Sequence, residues 1–251
     1  MDITKETLSE LAFQTEQGFS QQNIERFVTE YTTFEDIEIM AITACWLNIG
    51  MRNEGAAYAL WGYNRFKSGG GPLQYVIGKE EWPRFRKLYT KFTAQHTLND
   101  WYSLMKCLHG IYSGGNTILA EVMKRISDKD GTDFRDDVLL ALVEIFDGVR
   151  LMPTFNDFIP NKFVRFVMMM VRPRPIDTGI WADAEPELFG QSKTYIPLNS
   201  ELVKTISDTG LLESPSMTWN FAKTLAEYFA DVFPGDPGRG YFSLIGLNNY
   251  K

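Results

Sequence analysis

The chain has few of the residues that build metal or redox centres. Only two cysteines, Cys45 and Cys107, and two histidines, His96 and His109, occur in 251 residues. Two thiols cannot supply the four that an iron–sulfur cluster takes. No C-x-x-C or H-E-x-x-H spacing offers a zinc site. No structural metal and no cofactor is therefore expected. Both cysteines lie in apolar patterns, 41–47 and 104–108, which predicts buried reduced thiols rather than a disulfide. Long apolar runs are missing too. The longest, 163–171, is broken by Arg165 and falls well short of the roughly 18 residues of a membrane span. The opening MDITKETLSE has neither the basic start nor the apolar stretch of a signal peptide. No membrane partner and a cytoplasmic location are the expectations. Alternating strand patterns are scarce, which leaves helices as the expected element.

Charge is unevenly placed. Residues 1–60 hold ten acidic and three basic residues, which accounts for the whole net charge of −7. An acidic total argues against non-specific affinity for nucleic acid, which depends on neutralising phosphates. It leaves room for a local basic surface. Two clusters could supply one: Lys79, Arg84, Arg86, Lys87 and Lys91, or Lys162, Arg165, Arg172 and Arg174. Either cluster alone also reads as a solvated helix face.

Helical periodicity dominates what is present. Residues 34–49 are apolar nearly all round, which predicts a central buried helix, with Thr32 and Thr33 before Glu35 and Asp36 as its capped start. The run SGGGP at 68–72 lacks the Lys-Ser/Thr of a phosphate loop and follows no strand. It predicts a turn with Pro72 near a new helix's first position. Residues 99–112 form an amphipathic helix with Asn99 or Asp100 as candidate cap, and 117–126 and 133–146 repeat the pattern. Asp128, Asp130 and Asp133 lie in a polar loop that lacks the closing Glu of a calcium loop, so a solvated turn is expected. Further helices are expected at 163–171, 198–212 and 216–233, and an apolar segment at 241–247 packs back on the body. The expected fold is all-α, with ten or more helices in two lobes around a cleft. The N-terminal lobe is placed at 20–130 and the C-terminal lobe at 131–251, with residues 1–19 able to join the latter.

One segment carries candidate chemistry. On a helix starting at Asn161, Lys162, Arg165, Met169 and Arg172 fall on one narrow stripe, and every other position is apolar. Lys162 lies in the first turn, where the helix dipole disfavours a cation. A lysine in a desolvated, electropositive place can act as an amine nucleophile. Its alternative role is to snorkel over the core or to pair with a carboxylate such as Asp157.

Six pieces, in order over most of the chain, carry a resemblance: EDIEIMAITACWLNIG (35–50), HTLND (96–100), the 162–172 helix ending MMMVR, DTGIW (177–181), YIPLN (195–199) and GYFSLIGL (240–247). Together they resemble a bacterial family remotely related to the helix–hairpin–helix DNA glycosylases, whose nearest characterised cousins are the archaeal 8-oxoguanine glycosylase/lyases. The resemblance implies a helix–hairpin–helix, glycosylase-like all-α fold with a cleft that receives a base flipped out of a duplex. It implies Lys162 as the amine that attacks the sugar, in a DNA N-glycosylase/lyase if the protein is an enzyme. The supporting aspartate falls on Asn199. Asn caps a helix as well as Asp does, but a neutral amide neither takes a proton nor stabilises a cationic sugar. Glu201 stands where the family tends to carry a histidine. The hairpin FNDFIPNK lacks the glycines that expose amides to phosphate.

The resemblance therefore implies a protein that binds damaged double-stranded DNA in base-excision repair, with catalysis weakened or lost at Asn199. Arg165 and Arg172 are its candidate phosphate or cleft contacts. Trp181 is a candidate base-stacking residue, with core as the alternative, and Asp177 a candidate cap. His96 either lines the cleft or is a satisfied buried histidine. The rival expectations are a non-catalytic all-α interaction protein and a nucleobase- or nucleoside-binding protein.

Overall fold

The SGGGP turn shows how local chemistry builds the chain. Gly70 and Gly71 take positive φ, and Pro72 opens the helix that follows. The Asp36 carboxylate, in the first turn of an earlier helix, accepts the Leu73 N–H at 2.8 Å. A helix entrance is thus capped from a neighbouring helix, which locks the two together. In the computed structural model, residues 3–22, 24–48, 52–79, 82–83, 85–126, 133–190 and 193–249 are described. Among them are thirteen α-helices, one 3-10 helix and no β-sheet, only two isolated bridges. The protein is all-α.

The chain divides into two compact units. One comprises residues 26–154. It holds most of α2 (Glu25–Val28), then α3 (Phe34–Leu47), α4 (Arg52–Ser68), α5 (Pro72–Gly78), the 3-10 turn Phe85–Lys87, α6 (Leu98–Tyr112), α7 (Ile118–Ile126) and α8 (Phe134–Ile145). Helix α3 is buried from Ile37 to Leu47 without a break, as its all-round apolar sequence requires. Its one buried carboxylate, Glu38, accepts the N–H groups of Ile118 (3.1 Å) and Leu119 (2.9 Å) and the Tyr112 hydroxyl (2.7 Å). It caps α7 from inside the core, where an unpaired charge would be costly. Helix α6 begins earlier than expected. Thr97, not Asn99 or Asp100, is its N-cap, because Asp100 at N3 accepts the Thr97 N–H and closes a capping box. His96 is buried against the Trp46 ring, centroids 4.2 Å apart, with Nδ1 2.9 Å from the Thr93 hydroxyl. Cys45 is buried and Cys107 half-buried, and neither is in a disulfide. Burial pushes the Cys107 thiol up to about 11, so it remains an unreactive thiol. Asp128 and Asp130 of the calcium-like loop lie outside the described residues.

The other unit comprises residues 1–25 and 155–251. It contains α1 (Lys5–Gln22), α9 (Asn161–Val171), α10 (Ile180–Ala184), α11 (Ser200–Thr209), α12 (Trp219–Val232) and α13 (Arg239–Asn249). Helix α13 lies along α1 and α12. Two glycines allow the approach: a Cβ at Gly246 would meet Leu11 Cβ at 2.9 Å, and one at Gly240 would enter the Phe229 ring. The Ser243 hydroxyl donates to the Leu8 carbonyl at 2.8 Å and fixes the register. No helix among the described residues is long and apolar enough to cross a membrane.

Candidate functional site

Helix α9 is buried continuously from Phe163 to Val171. The two arginines of its cationic stripe do not face water. Arg165, 7% exposed, donates through Nε to Glu25 Oε1 at 2.8 Å and through Nη2 to the same oxygen, and its guanidinium lies 4.5 Å over the Tyr241 ring. Arg172, 4% exposed, binds three carboxylates at once. It reaches Asp177 Oδ2 at 2.7 Å, Asp236 Oδ1 at 3.0 Å and Glu16 Oε1 at 3.2 Å. Arg239 closes the cluster with a second bond to Glu16 at 2.9 Å. Arg165 and Arg172, the expected phosphate or cleft contacts, are both buried in ion pairs with carboxylates inside this unit.

Three guanidinium groups here face four carboxylates, Glu16, Glu25, Asp177 and Asp236. One negative charge is in excess in a place with little water. Asp177 absorbs it. Burial pushes its carboxyl up to about 7, against the pull of Arg172 and with a push from Glu25. Its Oδ1 meets no donor among the described residues, as a carboxyl holding a proton tolerates better than a carboxylate does. Asp177 therefore does not cap α10. Gly179, in the left-handed conformation, takes that position. Trp181 is fully buried, edge-on to Phe166 (5.3 Å) and Phe189 (5.1 Å). This is the core position expected as the alternative to base stacking.

The structure brings Lys162 and Asn199 onto two helix entrances that are tied together. Lys162 is the half-buried second residue of α9. Asn199 is the exposed N-cap of α11, and its Oδ1 accepts the Leu202 N–H at 2.8 Å. Asn161, next to Lys162, accepts the Leu198 N–H, next to Asn199, through its side-chain Oδ1 at 2.6 Å. That bond holds the start of α9 against the start of α11. In the sequence, the only signal for Asn161 is a short amide side chain at a helix entrance. Glu201 is turned to α13, where Asn248 Nδ2 donates to it at 2.6 Å.

The loop leading into α9 is pinned without glycine. Asn156 Oδ1 accepts the Phe158 N–H at 2.8 Å, and the Ile159 N–H donates to the Met217 carbonyl at 2.8 Å. The Trp219 indole donates to the Asn156 carbonyl at 3.2 Å. This loop displays Phe155 (75% exposed) and Phe158 (56%) to solvent. The sequence signal for this feature is the phenylalanine pair itself.

Among the described residues, no group of three His, Cys, Asp or Glu side chains could hold a metal ion. What the fold and site define is an all-helical protein with two helix entrances bolted together, one of them carrying a lysine. The chain belongs to the family described as "Protein of unknown function (DUF2400)", whose model matches residues 25–249. No curated protein and no solved structure matches it.

Proposed function

We propose that the protein binds damaged double-stranded DNA in the manner of a helix–hairpin–helix glycosylase, with Lys162 at the sugar and with lyase chemistry largely lost. The observation that carries this reading is the 2.6 Å bond from the Leu198 N–H to Asn161 Oδ1. It sets the lysine-bearing entrance beside Asn199, the position that an assisting carboxylate would occupy. Lys162 sits at the positive end of α9, a setting that suits approach to an electron-rich sugar–phosphate. Asn199 spends its oxygen on the Leu202 N–H and offers no base. The buried arginines take no part in phosphate binding in this reading; they hold α9 in place.

Borohydride trapping on a duplex with an abasic site tests the chemistry. The wild-type chain is expected to give little trapped adduct. Asn199→Asp retains the cap, supplies a carboxylate and is expected to raise the yield, and Lys162→Ala in that background abolishes the gain. No gain in Asn199→Asp would remove the argument that a catalytic geometry persists.

A second reading, an interaction protein without chemistry, is favoured by one observation. Phe155 and Phe158 are exposed on an ordered loop, as an apolar docking point for another protein would be.

A further inference from the structure

The first basic cluster is left over by the site in the other unit. Arg86, Lys87, Tyr89, Thr90 and Lys91 are all exposed, and Tyr89 at 87% is the most exposed of the large apolar side chains described. No carboxylate among the described residues pairs with Arg86, Lys87 or Lys91. The second cluster, by contrast, has Arg165 and Arg172 buried against acids. Arg84 lies outside the described residues.

The segment is nonetheless held in shape. The Thr90 N–H donates to the Lys87 carbonyl at 3.0 Å. The Asn99 N–H at the entrance of α6 donates to the Leu88 carbonyl at 2.6 Å, and the Leu98 N–H to Thr90 at 2.9 Å. Lys91 and Thr97 form a bridge, and the next residue, Phe92, stacks on Trp61 at 3.8 Å. Tyr89 is thus presented from a backbone fastened to α6, which lowers the entropy lost when a partner packs on it.

We infer that residues 86–91 form a second nucleic-acid contact, in which Arg86, Lys87 and Lys91 meet the phosphates of a single strand and one unpaired base stacks on Tyr89. Cations track a backbone whatever its sequence. An exposed aromatic face takes any unpaired base, whereas paired bases are already stacked. On a chain of net charge −7, three exposed cations within six residues mark where an anionic strand can approach. The inference rests on the nucleic-acid reading for the class of partner, not on the Lys162 site.

The test is fluorescence anisotropy of the full chain with labelled oligothymidylate and with an abasic-site duplex, over a range of salt. The Arg86→Gln/Lys87→Gln/Lys91→Gln variant is expected to reduce the single-strand salt slope by about two. Tyr89→Ala is expected to weaken single-strand binding about tenfold, with Tyr89→Phe close to wild type. All these positions are exposed, so folding is preserved. Binding of the abasic duplex but not of the single strand, or variants that match wild type, would overturn this contact and leave the Lys162 reading intact. Single-strand binding through these residues without preference for the abasic duplex would support the contact and remove the Lys162 reading. Equal competition by polyglutamate would overturn it, because a surface that reads charge alone has no use for Tyr89.

Discussion

Arg172→Met is expected to destabilise the unit that carries α9 by about 3–5 kcal/mol, the cost of removing one partner from a buried ion pair. The side chain is almost completely buried, so solvent cannot replace it. Its loss leaves Asp177 and Asp236 without their shared cation, and Glu16 with Arg239 alone. Methionine fills the volume, which separates the loss of charge from the loss of packing. Arg172→Lys is expected to rescue little, since one ammonium cannot reproduce a planar fork that reaches three carboxylates. Urea denaturation followed by circular dichroism measures both. If Arg172→Met unfolds within about 1 kcal/mol of wild type, the ion cluster does not hold the unit together.

The second large effect is a stability that falls as pH rises. Asp177 has a folded-state pKa of about 7, above its ordinary value near 3.8. The folded protein therefore binds more protons than the unfolded chain between those values, and stability declines with rising pH across that window. The favourable contribution is complete below the unfolded value and is lost by the time pH passes about 7. A shift of that size corresponds to on the order of 4 kcal/mol. The groups facing Asp177 are Arg172, Arg165 and Glu25. Asp177→Asn cannot ionise. The difference in unfolding free energy between wild type and Asp177→Asn is therefore expected to shift steadily against wild type from pH 4 to 7. Parallel pH curves for the two proteins would show that Asp177 ionises normally.

The helices were legible in the sequence where local chemistry decides them. The all-round apolar stretch of α3, the Gly-Gly-Pro entrance of α5, and Asn199 with Gly210 at the two ends of α11 all read directly. The entrance of α6 did not, because Thr97 and Asp100 cap each other and either could have been chosen. The direction of the α9 stripe was not legible either. Periodicity places Lys162, Arg165 and Arg172 on one side, but whether that side meets water or buried acid depends on Glu16, Glu25, Asp177 and Asp236, up to 156 residues away in sequence. The same limit applies to Trp181, whose neighbours Phe166 and Phe189 come from separate segments. At the candidate site, the stripe and the first-turn position single out Lys162 and the resemblance adds Asn199, while the Asn161 bond that joins their two entrances is visible only in three dimensions.

The central claim is recognition of damaged DNA through the Lys162 entrance. Its most direct test is the anisotropy of a labelled duplex carrying an abasic-site analogue, against the undamaged duplex, over a range of salt, for wild type and Lys162→Ala. The account predicts salt-dependent binding that favours the lesion and a preference that Lys162→Ala removes. No binding at low salt, or equal binding of both duplexes that Lys162→Ala leaves unchanged, would contradict it and turn attention to the exposed Phe155 and Phe158 as a protein docking point.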